Sequence, residues 1–236
     1  EEKRNRGDFC LWKLYREGDP YWETELGKGR PGWHIEDTAI TEKELGVQYD
    51  VHGGARDLIF PHHEAEIAQM ESISGKKPLV KYWLHTEFLT LNKAKMSKSL
   101  GNIIPMREVL KQYGAKILRY FYISSHYRSP ISFDYDGLEH AKNALQRLND
   151  FMQATKNGMD RYDAKLLKKT KEAFVKAMDD DFDTPKALSI IYDFIREVNK
   201  KGGGKKAYNL MLEFGKIFGI LSLGEVKISK EIAALI

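Results

Sequence analysis

Two lysines three residues apart, Lys95 and Lys98, stand in the run Lys95-Met96-Ser97-Lys98-Ser99, which continues into Leu100-Gly101-Asn102. Two ammonium groups on a short, glycine-ended loop suit the grip of a polyphosphate. They can close on the oxygens of a departing pyrophosphate and neutralise charge that grows in the transition state, which a static basic patch would not do selectively. A solvated lysine turn is the ordinary alternative. Upstream, His52-Gly53-Gly54-Ala55-Arg56-Asp57 offers two glycines where backbone can approach a flat ligand such as adenine, and an acid, Asp57, that can accept hydrogen bonds from ribose hydroxyls. A tight corner is the ordinary alternative there. His62 and Glu66 are four apart, so on a helix they share one face and can ligate one metal, imidazole and carboxylate both being zinc donors. An intrahelical His–Glu hydrogen bond is the competing reading.

These residues need elements to hold them. Up to about Ser129 the chain alternates short β-branched or aromatic runs with helix-period segments, the pattern of an α/β layer around a mostly parallel sheet. Strands are predicted over Gln48 to His52 and Tyr82 to Leu91. Pro31-Gly32 opens a predicted helix from Trp33 to Leu45, and Pro61 starts another running through His62 to Ser74. The chemistry-bearing residues thereby fall at strand ends and helix starts, where open α/β sheets hold ligands. After Ser129-Pro130 the periodicity becomes helical: Gly137 to Met152, Ala164 to Met178, Pro185 to Lys200 and Ala207 to Ile220. Thr184 is expected to cap the third of these, with Pro185 in its first turn. The sequence thus divides into an α/β region over residues 1–129 and a helical bundle over 130–236.

With 236 residues, 42% of them hydrophobic, the chain can bury a proper core. A net charge of +4 is compatible with a nucleic-acid partner without requiring one. One cysteine excludes an internal disulfide framework, and no apolar run approaches the ~20 residues that cross a bilayer. These features predict a soluble protein of a reducing compartment, cytoplasmic and without a membrane partner. The charged start, Glu1-Glu2-Lys3-Arg4-Asn5-Arg6, is no secretory signal, and the missing initiator methionine points to a longer parent chain.

All five positions from Lys95 to Ser99 match the second ATP-binding motif of class I aminoacyl-tRNA synthetases. Taken with Gly29-Arg30-Pro31-Gly32-Trp33-His34-Ile35-Glu36 and His52 through Glu66, in this order and spacing, the chain closely resembles the cysteinyl-tRNA synthetase family. The resemblance begins at Asp8-Phe9-Cys10-Leu11-Trp12-Lys13. It continues through Ser124-Ser125-His126-Tyr127-Arg128-Ser129-Pro130 and Asp179 to Leu188, so it covers nearly the whole chain. It implies the latter half of a Rossmann-type catalytic domain followed by a helical tRNA-binding domain. It also implies ATP with Mg²⁺, cysteine and tRNA(Cys) as ligands and partners, in a monomer.

Carried over residue by residue, the resemblance assigns Lys95 and Lys98 to catalysis, and His52, Gly53, Gly54, Asp57 and Lys95 through Ser99 (Lys95, Met96, Ser97, Lys98, Ser99) to ATP. Trp33 and His34 match positions near the family's cysteine pocket; core packing is the alternative for Trp33. His62 and Glu66 match ligands of a zinc ion that binds the substrate thiolate. Asp37 departs from the pattern, standing where the family commonly has a ligand cysteine. Carboxylate oxygen is an acceptable zinc donor but a harder one, less selective for sulfur, so Asp37, His62 and Glu66 are expected to converge and to hold a metal weakly. Cys10 occupies a non-ligand place and is expected to be a small core residue. The family's first ATP motif, His-x-Gly-His, is absent from these residues, so the chain alone is expected to be catalytically incompetent. Two other readings stay open: a related ligase that passes cysteine to an amino sugar, and a non-catalytic RNA-binding fragment.

Overall fold

The computed structural model describes residues 3–91, 94–95, 104–161 and 164–221. The chain forms two compact units, Glu1–Phe88 and Leu89–Ile236.

The first unit opens with a three-stranded antiparallel sheet of β1 (Trp12–Leu14), β2 (Trp22–Thr24) and β3 (Gly27–Pro31), in the order β1-β3-β2. Cys10 lies just before β1 and is exposed, with its thiol donating to the Trp12 carbonyl. The expectation of a core cysteine fails because this small sheet buries little: Leu11, Leu14 and Trp22 are exposed as well. Helix α1 (Trp33–Leu45) follows directly from β3. Gly32 makes that turn: its N–H donates to the Leu11 carbonyl, and a Cβ there would stand 2.0 Å from the Cys10 carbonyl oxygen.

Strand β4 (Tyr49–Ala55) pairs in parallel with β5 (Val80–Thr86), His52 opposite Trp83 and Gly54 opposite His85. Between them run a 3-10 turn (Arg56–Leu58), a π turn (Ile59–His63) and helix α2 (Glu64–Ser74). The helix expected to start at Pro61 therefore begins regularly at Glu64, with His62 and His63 in the wider turn before it. The apolar core of this layer is Met70, Leu79 and Val80, with Ile67, Val47, Tyr49 and Trp83 packed against it.

The single strand expected over Tyr82 to Leu91 is two. β5 ends at Thr86, and β6 (Leu89–Leu91) joins another sheet, antiparallel to β7 (Ala94–Lys95) and parallel to β8 (Ile131–Phe133). The break has a physical cause in the side chains: Glu87 turns to Arg56, whereas Leu89 and Leu91 pack on the core of the second unit.

Beyond that small sheet the unit is helical: α3 (Met106–Ile123, interrupted at Gly114), α4 (Tyr135–Lys156), α5 (Ala164–Asp179), α6 (Thr184–Lys201) and α7 (Lys205–Phe218). Its core follows the helical repeat. In α6 the buried residues are Ala187, Leu188, Ile191, Phe194, Ile195 and Val198, one stripe at spacings of three and four. Helix α4 starts two residues before Gly137 because the Asp134 carboxylate accepts from the Gly137 N–H at 2.6 Å. Asp183, not Thr184, caps α6, accepting from the Lys186 N–H at 3.0 Å. Thr184 is already helical, and its hydroxyl faces the Ser125 carbonyl instead. No described helix is long and apolar enough to cross a membrane.

Candidate active site and metal centre

The first turns of α1 and the π turn before α2 bring the predicted metal residues together. His62 Nε2 lies 2.8 Å from Asp37 Oδ2 and 3.0 Å from Glu66 Oε1. Asp37 comes from α1, and His62 and Glu66 from the continuous run of the π turn into α2, so two separate stretches of backbone converge. A tetrahedral zinc with bonds of about 2.0–2.1 Å holds neighbouring donors roughly 3.3 Å apart, close to what these atoms already show.

Glu66 is the tightest constraint. It is 2% exposed, and neither of its oxygens has an aligned hydrogen-bond donor, even though His62 stands at ion-pair distance. A buried carboxylate without donors is costly, and a cation is what would repay it. Burial first, and the Asp37 charge second, push the Glu66 carboxyl up to about 7. The donor set therefore fits a bound divalent ion. The competing reading, an intrahelical contact, uses the same pair, His62 Nε2 and Glu66 Oε1 at 3.0 Å.

The histidine is held from behind. His62 Nδ1 is 2.7 Å from His34 Nδ1, so one ring donates to the other, and the Trp33 ring stacks on His62 with centroids 4.3 Å apart and 22° between planes. Trp33 is 51% exposed, which rules out core packing as its role and leaves an open aromatic face beside the ligand cluster. His34 is held below the usual histidine range, chiefly by burial and then by His62.

The two glycines lie within β4, and Gly54 makes room for the chain's own aromatic cluster. A Cβ at Gly54 would come 2.7 Å from Cε1 of His63 and 2.9 Å from its Nε2, whereas one at Gly53 would meet only the Leu84 carbonyl at 3.8 Å. His52 stacks on Trp83, and Tyr49 Oη lies 2.6 Å from His52 Nδ1. Burial, followed by neighbouring histidines, lowers His52 and holds His63 at about 4, while burial and the Glu66 charge raise Tyr49 to about 12. Imidazoles, two carboxylates and an aromatic wall are thus gathered in one place, a donor set that fits a divalent cation.

Asp57 is exposed in the 3-10 turn. The backbone of Lys95 closes β7 opposite Thr90; Met96, Ser97, Lys98 and Ser99 lie outside the described residues. Sequence reasoning missed His63, His85, Tyr49 and Trp83. Two of these are named by strand register alone, since His52 faces Trp83 and Gly54 faces His85, and the pairing of β4 with β5 is not written in either strand.

In the second unit two motifs distant in sequence meet. Tyr127 and Arg128 both bond the Asp181 carboxylate, joining Ser124 through Pro130 to the stretch Asp179 to Leu188. Asp181 and Phe182 take left-handed backbone angles, φ 54° and 55°, at that junction.

The chain matches the family described as tRNA synthetases class I (C) catalytic domain over residues 1–143, and a DALR domain over residues 173–222. Cysteine--tRNA ligase of Saccharolobus solfataricus is 45% identical over 239 residues, covering 94% of this chain and 51% of the relative. The same enzyme of Thermodesulfovibrio yellowstonii is 46% identical, covering 91% and 46%, and that of Thermococcus gammatolerans 41% identical, covering 93% and 50%. The chain spans about half the length of these curated relatives. Among solved structures, a LeuRS from Agrobacterium radiobacter in a ternary complex with tRNA and LeuAMS shares the fold at a TM-score of 0.62 and 12% identity, covering 85% of this chain and 32% of that one. With the class I (C) catalytic family matched over more than half its length, the chain belongs to the cysteinyl-tRNA synthetases, a family of class I aminoacyl-tRNA synthetases.

Proposed function

We propose that this chain supplies the metal centre, the lysine loop and a helical tRNA-binding region to a ligase that activates cysteine with ATP and charges tRNA(Cys). One observation carries the reading: the buried, donorless Glu66 carboxylate, aimed with His62 and Asp37 at one point beside the Trp33 ring. In such a site Asp37, His62 and Glu66 would hold a zinc ion, which supplies an open coordination position suited to a thiolate and ill suited to a hydroxyl. The residues around it have separate tasks. His34 fixes the His62 ring through Nδ1, leaving Nε2 for the cation, and Trp33 closes one side over a small substrate side chain. Asp37 makes the centre harder than a cysteine ligand would, weakening its hold on zinc relative to a sulfur-ligated one.

His52, Gly53, Gly54 and Asp57 are assigned to the nucleotide, which enters with Mg²⁺, and Lys95 through Ser99 to its phosphates. Catalytic residues 1–129 and tRNA-binding residues 130–236 form the proposed division, in a cytoplasmic monomer. In the complete polypeptide, Lys98→Ala should lower the rate of adenylate formation by roughly 10²–10³ with little change in ATP affinity, because its contact strengthens as the phosphates separate. Cysteine-dependent ATP–pyrophosphate exchange measures both quantities, and equal losses in rate and binding would contradict the assignment. Offering tRNA and an amino sugar to the same adenylate identifies the acceptor: transfer of cysteine to the sugar alone would replace this reading.

A further inference from the structure

We propose that Asp181 is a positioning residue for adenylate formation: through Arg128 and Tyr127 it fixes strand β8, and with β8 the antiparallel pair β6–β7, whose second strand ends at Lys95. The inference rests on the reading that Lys95 through Ser99 grip the nucleotide's phosphates. It adds a residue that sets where that grip is rooted.

Asp181 lies between α5 and α6, and both of its carboxylate oxygens are engaged by the segment before β8. The Arg128 guanidinium donates from Nε to Oδ2 and from Nη2 to Oδ1 at 3.2 Å, and the Tyr127 hydroxyl donates to Oδ1. Arg128 Nε also lies 3.1 Å from the Tyr127 oxygen, so the three side chains close on one another. A forked guanidinium–carboxylate contact fixes angle as well as distance. Each end of it is anchored in backbone. On the Asp181 side, the Phe182 and Asp183 N–H groups donate to the Met178 and Ala177 carbonyls of α5, and the Asp183 carboxylate caps α6. On the Arg128 side, the Ser125 N–H donates to the Tyr122 carbonyl and the Ser129 N–H to the His126 carbonyl at 2.8 Å, a closed turn from which β8 starts at Ile131.

Stability does not account for this tie. Asp181 and Phe182 both stand in the left-handed region, φ 54° and 55°, where residues other than glycine are strained, and the ion pair made there is open to solvent, with side chains 61% and 43% exposed. The strain of two such residues outweighs what an exposed ion pair ordinarily contributes. What the geometry yields is placement. β8 pairs in parallel with β6, Leu89 opposite Ile131 and Leu91 opposite Phe133, and β6 pairs with β7, Thr90 opposite Lys95. Phe133 is 1% exposed and anchors one end of β8 in the core, while the tie to Asp181 lies just before its other end, so the strand is set at two points. A grip that tightens only as the phosphates separate depends on such placement, because a shift of about 1 Å in a catalytic group is enough to lose it.

The experiment is a double-variant cycle in the complete polypeptide, read by cysteine-dependent ATP–pyrophosphate exchange without tRNA and by urea unfolding followed through helical circular dichroism. Asp181→Gly removes the carboxylate and relieves the left-handed strain, and Arg128→Gln breaks the same tie from its exposed end. Each should slow exchange about ten- to a hundredfold with the KM for ATP unchanged, while the urea midpoint of Asp181→Gly stays at the wild-type value or above it. In a Lys98→Ala background either substitution should cost less than about twofold more, because the grip it positions is already gone. An unchanged rate, a rise in KM alone, a loss that only follows a lowered urea midpoint, or losses that multiply fully with that of Lys98→Ala would each overturn the positioning role and leave the lysine-loop reading standing. A Lys98→Ala variant that keeps the wild-type rate would remove that reading, and this inference with it.

Discussion

The two units of this chain bury opposite kinds of side chain. The helical unit encloses a continuous apolar core drawn from every one of its long helices, with Phe174 stacked on Phe214 at 4.1 Å and edge-on to Phe218. In the first unit the described apolar core centres on Met70, Leu79 and Val80, while His62, His63, Glu66 and Gln69 are equally buried. One unit's interior is apolar packing, while the other's includes buried polar groups, of which Glu66 and Gln69 have side-chain atoms without a hydrogen-bond partner. The difference shows where a ligand would matter: an interior carboxylate without donors is costly until something completes it, and a unit built on aliphatic packing has no such need.

The contrast can be broken in measurable ways, because all four tryptophans, Trp12, Trp22, Trp33 and Trp83, lie in the first unit and their emission reports it alone. The largest effect belongs to the helical core. Phe174→Ala should cost that unit about 3–5 kcal/mol, read as earlier loss of helical circular dichroism in urea, with no change when zinc is added. An equal shift of the tryptophan transition would show that the units do not unfold independently. Next, zinc at a hundredfold its dissociation constant should stabilise the first unit by about 2.7 kcal/mol and leave the helical transition in place; His62→Ala should abolish the gain.

The smallest effect is a pH slope in the chelated chain. Glu66 is raised to about 7, so the folded state holds a proton that the unfolded state releases near the ordinary carboxylate range, and stability falls as pH rises toward and through 7. His34, His52 and His63 are lowered, with His63 at about 4, so their contribution is complete above about 6.5 and is lost as pH falls below it. The two trends oppose each other below about 6.5. Between pH 6.5 and 8 only Glu66 should act, costing roughly 1 kcal/mol or less, and Glu66→Gln should flatten that segment. A slope that survives the substitution would place the titrating group elsewhere.

Legibility in the sequence followed the range of the interactions involved. The helices of the second unit were readable because an apolar stripe such as Ala187, Leu188, Ile191, Phe194, Ile195 and Val198 is a local pattern. Two starts were off by one or two residues where an acid outside the apolar pattern supplied the cap, Asp183 in place of Thr184 and Asp134 ahead of Gly137. His62 and Glu66 were findable from spacing, and Asp37 and Trp33 only through resemblance, since their approach to His62 is a tertiary event. The rest of the cluster was not legible: Tyr49, Trp83 and His85 reach the site through the parallel pairing of β4 and β5, and single-sequence periodicity carries no register. Cys10 was misread because apolar character predicts burial only where a second layer exists to cover it.

The central claim is that Asp37, His62 and Glu66 hold a zinc ion that distinguishes cysteine from serine by its sulfur. The direct measurement is the ratio of cysteine to serine activation in the complete polypeptide, by ATP–pyrophosphate exchange, as zinc occupancy is varied and quantified by elemental analysis. Discrimination should rise with occupancy, fall to the metal-free level in His62→Ala, and increase with tighter zinc binding in Asp37→Cys. A metal-free wild-type protein that still strongly prefers cysteine would contradict the account and leave selection to shape and hydrogen bonding around Trp33.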